Sequence, residues 1–156
     1  MRRKDREVAD PGSMLEIMRQ CDCCRLGLRD GDGVYIVPLN FGFCQEDDKL
    51  VLYFHGAGSG RKIELLKACP QVGFEMDTAH GLVEHETACG YSYHYASIMG
   101  TGRVSFLEDH QEKLAALGCI LAHYSDRTEW EFSGETVKHT AVLRLEVTKW
   151  SCKRYE

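Results

Sequence analysis

The sequence has no apolar run approaching membrane-spanning length, so a chain that crosses a bilayer with helices is not expected. Its start, MRRKDREVADPG, is charged and leads into no apolar core of the kind a secretory signal carries. Residues 1–12 therefore read as a solvated arm, and 13–156 as a single domain. Positive charge is not in excess: 19 Lys and Arg face 24 Asp and Glu, and the net −5 argues against nucleic acid as a general partner. There is no pair of CxxC motifs: within Cys21-Asp22-Cys23-Cys24 only Cys21 and Cys24 have two residues between them, and no second CxxC exists to complete a zinc knuckle. The eight cysteines read instead as small, unpaired side chains in a reducing, cytoplasmic setting. Repeats and low-complexity tracts are also missing. What remains, at 156 residues with 44% hydrophobic and 28% charged, is one globular domain with room for a real core.

Within it, Val51 to Leu66 (VLYFHGAGSGRKIELL) concentrates the chemistry. Four strand-forming residues lead through His55 into a loop with Gly56, Gly58 and Gly60. Arg61 and Lys62 then open an apolar-periodic segment. Glycines let the backbone turn and present N–H groups, and a helix start adds free donors and a positive dipole end. Two cations at that point suit a doubly charged phosphate. Neither familiar phosphate motif is present. GAGSGRK has three residues where a P-loop has four, then Arg for Lys, and Arg61 stands where a dinucleotide fingerprint needs its last Gly. A Gly-rich loop with two solvated cations accounts for the same residues equally well.

Ser13 and Glu16 form a capping box that predicts a helix from about Met14 to about Cys21, with Leu15, Ile17 and Met18 apolar. Strands are expected over Cys24–Arg29 and Val34–Phe41, turning at Asp30–Gly33, with Pro38 marking an edge or bulge. An acidic turn at Gln45–Asp48 and a third strand, Leu50–His55, complete an antiparallel meander. The helix from Arg61 should stop before Pro70. Val72–Met76 is strand, and Asp77–Gly90 is expected to loop out. That loop carries His80, Glu84, His85 and Cys89, whose spacing matches no standard metal site; a solvated loop is the simpler reading. In Tyr91–Leu107, alternation puts Tyr91, Tyr93, Tyr95, Ser97 and Met99 on one face, and Gly100 and Gly102 mark a bend. Asp109 caps a helix with Leu114, Leu117, Ile120, Leu121 and Tyr124 at helical spacing. Thr136–Thr140 reads as one helical turn, and Ala141–Val147 as the last strand. The pattern predicts a mainly β, α+β fold: a small antiparallel barrel of about six strands, with two or three helices outside.

The order RLGL (Arg25 to Leu28), YIVPLNF (Tyr35 to Phe41), YFHGAGSGRKIELL and YSYHYASIMGTGRVSFLED resembles the pyridoxamine 5′-phosphate oxidase-like split-barrel flavoproteins. Within them it is similar to the Nim-type nitroimidazole-resistance branch. The resemblance implies a homodimer of six-stranded split barrels, with FMN in two grooves between subunits. It implies that Ser59, Arg61 and Lys62 hold the FMN phosphate, with Gly60 an extra residue between the serine and the basic pair. It places Arg25 near a phosphate contact and His55 against the flavin. Pro38, Leu39 and Asn40 fall along the ring, and Ser97 touches it. The oxidases finish with an arginine-containing substrate motif that SCKRYE does not match, which points away from pyridoxal phosphate chemistry. The expected function is an FMN-dependent oxidoreductase serving a small acceptor, such as a nitro-aromatic. The alternative is a flavin-binding carrier or sensor without turnover. No acid–base residue is demanded; His55, His94 and Tyr95 are candidates for proton donation, with packing or hydrogen bonding the simpler role for each.

Overall fold

The computed structural model describes residues 3–47 and 49–156. Eight strands form: β1 (Glu7–Val8), β2 (Cys24–Asp30), β3 (Gly33–Leu39), β4 (Phe41–Glu46), β5 (Lys49–Ala57), β6 (Gln71–Val83), β7 (Ser92–Phe106) and β8 (Thr140–Tyr155). The helices are α1 (Pro11–Arg19), α2 (Arg61–Ala68), α3 (His110–Tyr124) and α4 (Gly134–His139). Every pairing among the described residues is antiparallel, in the order β3-β2-β6-β7-β8-β5-β4, with β1 added to β8. The end strands β3 and β4 are consecutive in the chain yet are not paired with each other among the described residues, so the curled sheet is a split barrel. Pro38 lies on the edge strand β3, where its missing N–H costs no ladder bond.

Alternation sorts the side chains. Leu26 and Leu28 of β2, Leu52 and Phe54 of β5, Phe74 and Met76 of β6, and Leu143 and Leu145 of β8 fill the interior. Met14, Ile17 and Met18 of α1 pack against the same core. A second, smaller core forms outside the barrel, where Ala116, Leu117 and Ile120 of α3 and Val137 of α4 cover Val142 of β8. The close approach of α3 needs a glycine. A Cβ at Gly42 would lie 2.5 Å from the carbonyl oxygen of Cys119 and 2.6 Å from the nitrogen of Ile120.

Several elements differ from the sequence expectation. α1 starts earlier, because Asp10 and not Ser13 is the cap: its carboxylate accepts from the Ser13 backbone N–H at 2.8 Å, with Pro11 at the first helical position. The expected arm is tied down. Glu7 and Val8 pair with Lys153 and Cys152, and the Arg6 guanidinium stacks 3.9 Å from the Tyr155 ring. Phe41–Glu46 is a strand of its own, broken from β3 at Asn40; of the acidic turn, Asp48 lies outside the described residues. β6 continues to Val83 where a loop was expected, because β7 satisfies its backbone as far as Ser92. A register shift between Thr78 and Gly81, with Ala79 at φ 56°, bends this polar extension. β8 likewise runs past Val147, with Cys152 turned inward. All eight cysteines are free thiols. No helix among the described residues is long and apolar enough to cross a membrane.

Gly42→Ala forces α3 away from β4 and is expected to destabilise by about 1–3 kcal/mol, read as a lower urea midpoint at unchanged slope. Gly118→Ala, in the same helix with nothing within 4 Å of the new Cβ, is expected to gain up to about 1 kcal/mol. An equal effect of the two would contradict the helix packing described.

Candidate functional site

β5 leaves the barrel with Phe54 inward and His55 outward, paired to Val142, and ends at Ala57 opposite Thr140. The loop Gly58-Ser59-Gly60 follows, all of it exposed. Gly60, at φ 111°, is the residue before α2, a backbone region that side-chain-bearing residues avoid. It brings no side-chain cap; the Ile63 amide donates to the Gly60 carbonyl at 2.9 Å, so the Arg61 and Lys62 amides are the ones left available as donors. Ile63 and Leu66 are buried and fix the helix start.

The two cations at that start differ. Lys62 is half-buried with its Nζ over Gly56, where a Cβ would sit 2.5 Å from it. Burial pushes the Lys62 ammonium pKa down, and it forms no ion pair among the described residues. Arg61 is exposed; its guanidinium pairs with Asp30 and lies 5.3 Å from the centre of the Tyr35 ring. Asp30 and Tyr35 were not expected at the site, since only the packing of α2 on the β2–β3 hairpin brings them there. His55 stands nearby. Its pKa is lowered by desolvation first and by the Lys62 charge second, both of which favour the neutral ring.

The remaining expected residues lie elsewhere on the sheet. Arg25 pairs with Asp77 at 2.6 Å and Glu75 at 3.0 Å, which raise its pKa and match its charge with two carboxylates. It is therefore not a free ligand for phosphate within this chain. Pro38 is exposed opposite Arg25, Leu39 is half-buried opposite Cys24, and Asn40 is the exposed link into β4. Ser97 is opposite Asp77. Pro38 and Ser97 share a sheet with β2 and β6 between them, roughly 14 Å of sheet. This region also exposes Val34 (69%), Ile36 (64%) and Met99 (46%).

The three proton-donor candidates do not come together in one chain. Tyr95 is opposite Tyr155 on β8, and its hydroxyl is 3.5 Å from Arg6 Nη1. The His94 ring stacks 5.8 Å from Tyr155, its Nδ1 buried and unpartnered among the described residues. His55 pairs with Val142, thirteen residues earlier on β8, roughly 40 Å along the strand. Of the possible metal ligands, His80 bonds Asp77 at 2.8 Å and His85 bonds Thr87 at 3.2 Å. No group of three ligand-type side chains placed to hold a metal occurs among the described residues.

His55 also edges a cavity of about 390 Å³ walled by Leu117, Ile120 and Leu121 of α3, Phe132, and Thr136 and Val137 of α4. Sequence spacing marks the apolar face of α3 but not the space it leaves beside His55.

Residues 10–154 match the family model described as pyridoxamine 5′-phosphate oxidase. The chain belongs to this family. A putative 5-nitroimidazole antibiotic resistance protein from Bacteroides thetaiotaomicron is similar in structure, with a TM-score of 0.82, 33% identity, and coverage of 95% of this chain and 86% of that one. The flavocytochrome Anf3 from Azotobacter vinelandii gives a TM-score of 0.82 at 20% identity, covering 100% of this chain and 72% of that one. A NimC/NimA family protein from Clostridium acetobutylicum gives 0.55 at 18% identity, over 90% and 84%. The last two likenesses concern the fold. No curated protein matches the chain.

In this member of the oxidase family the His55 ring is expected to titrate below the ordinary histidine range by NMR, and Lys62→Met should move that titration upward. An unchanged His55 titration in the variant would show that the Lys62 charge does not reach the ring.

Proposed function

We propose that the chain is an FMN-binding flavoprotein that acts as a homodimer and passes electrons from reduced flavin to a small acceptor of nitro-aromatic type. The observation that supports this most directly is Lys62: a half-buried ammonium without a counter-charge among the described residues, beside Arg61 and the free amides of a helix start. A phosphate dianion there would offset the cost of burying that charge. The residues fit the group. Gly56 leaves room for Lys62, the loop exposes Ser59, and His55 adjoins as a neutral ring.

FMN, when bound, supplies the redox chemistry itself; the protein holds and orients it and limits access of water. Lys62 takes the phosphate as a point charge. Arg61 contributes less than a free guanidinium would, since Asp30 already pairs with it. His55 donates or accepts one hydrogen bond. The acceptor class draws on likeness to the nitroimidazole-resistance protein. A dimer fits the exposed apolar side chains of β3 and β7. Covering Val34, Ile36 and Met99 with a second copy would put Pro38, Leu39, Asn40 and Ser97 at an interface, so the ring contacts and the phosphate contacts would come from different chains.

Three measurements bear on this. Purified protein should be yellow, release FMN on denaturation, and bleach with NADH or NADPH; bound flavin that never bleaches would leave a carrier. Titrated with FMN, Lys62→Met should lose roughly ten- to 150-fold in affinity, the worth of one charge-assisted hydrogen bond. Arg61→Ala should lose less, and riboflavin binding should hardly change in either variant. Equal losses for both flavins would place these residues away from the phosphate. Sedimentation at micromolar concentration should show a dimer, and a monomer that retains flavin would remove the interfacial site.

A further inference from the structure

On the other side of the Gly58 loop lies a groove built from six separate elements. Gly58, then Ile63 and Lys67 of α2, form one wall; the end of β7 at Phe106 with Leu107 and Glu108 after it, Lys113 of α3, Lys138 with His139 of α4, and the start of β8 form the others. This cavity, about 230 Å³, adjoins a second of about 330 Å³ that shares Glu108, Lys113 and Lys138 and adds His110. Together they fall within the ~300–1,000 Å³ typical of small-molecule sites.

In a chain of net charge −5, three lysines from positions 67, 113 and 138 line one groove whose only lining carboxylate among the described residues is Glu108. None of the three forms an ion pair among the described residues. Lys113 Nζ is held by a 3.1 Å bond to the Thr140 carbonyl, and Lys67 Nζ lies 6.0 Å from the Phe106 ring centre. Asp109, the nearest other acid in sequence, is engaged as the α3 cap by the Gln111 and Glu112 amides. Three like charges with a single carboxylate among them repel one another, and an anion reduces that repulsion. The floor beside them is apolar and aromatic, formed by Ile63, Phe106 and Leu107. Cations over such a floor suit a phosphate joined to a flat base better than a free phosphate.

The groove and the Lys62 site lie on two sides of one loop–helix unit, and Lys62 and Lys67 are roughly 7.5 Å apart along the helix axis. We propose that the groove takes the adenylate diphosphate half of a dinucleotide. Resting on the flavin reading above, that dinucleotide is either FAD reaching across from the Lys62 site or the NADPH that reduces FMN bound there.

The test uses a Lys67→Glu/Lys138→Glu variant, which leaves the backbone-bonded Lys113 in place, with Lys138→Gln as a milder control should the double variant fold poorly. Wild type and variants are titrated calorimetrically with ADP, FMN and FAD, and the FMN-loaded protein with NADPH. ADP affinity is expected to fall tenfold or more in the double variant and severalfold in Lys138→Gln, with FMN affinity within twofold of wild type. A parallel loss for FAD assigns the groove to the cofactor; a loss for NADPH alone assigns it to the donor. ADP that fails to bind wild type, or binds all variants equally, overturns the proposal. If wild type binds ADP but not FMN, the flavin reading fails and the groove stands.

Discussion

The β7–β8 ladder is the constraint on which the rest of the molecule depends. It runs from Tyr95 opposite Tyr155 to Phe106 opposite Leu143, in the middle of the strand order. β6 hangs on one side and β5 on the other. Two strands this long cannot stay flat, and the register shift between Thr101 and Gly102 lets them bend. The bend has no room for a side chain: a Cβ at Gly102 would meet the Glu146 carbonyl at 2.3 Å. Because β5 pairs with the N-terminal half of β8, it emerges with His55 and the glycine loop beside α3 and α4, far from the end where β1 docks. The place of the candidate site follows from that register.

Charge then separates the residues that the barrel presents. Arg25 and Arg61 are matched by carboxylates on the same chain, whereas Lys62 has no carboxylate partner among the described residues. For exposed pairs such as Arg61–Asp30 the net stabilisation is at most about 1 kcal/mol, so a ligand phosphate can compete with Asp30. A half-buried, unmatched ammonium is a larger asymmetry. Burial disfavours its charge, and an anion in contact would offset that cost. Type and spacing rank Arg61 above Lys62 for a bidentate grip; burial and pairing reverse the order.

Much of this architecture was legible in the sequence, and the reasons are local. Asp109 before an apolar 3.6-residue period, Pro70 after α2, and the alternation through Tyr91–Phe106 are each encoded within a few residues. The misreadings came where partners are remote. Asp77–Val83 is polar enough for a loop, yet β7 supplies its hydrogen bonds and makes it strand. Ser13 with Glu16 satisfies the capping-box pattern, but Asp10 caps the helix three residues earlier, accepting from the Ser13 amide itself. The motif order was sufficient for the family, and the loop marked its residues as phosphate candidates without deciding between that and a solvated turn. The pairing of Arg25 with Glu75 and Asp77, fifty and more positions away, leaves no trace in either.

The lysine groove shows the same limit from the opposite direction. Lys67, Lys113 and Lys138 belong to three helices, and no window of sequence holds two of them. Only the second core, where α3 and α4 close over Val142, brings Lys113 and Lys138 to the mouth that Lys67 borders. That core is small, five buried residues against the twenty-one of the barrel among the described residues, and it stands on the Gly42 contact of α3 with β4. The shape of the groove, and of the His55 cavity on the other side of α4, thus depends on the less extensively packed part of the molecule. Stability is not uniform across a fold, and segments with few buried contacts open at lower cost than the main core. The barrel fixes the loop that carries Lys62, while the two outer helices are the part that can adjust around a larger ligand.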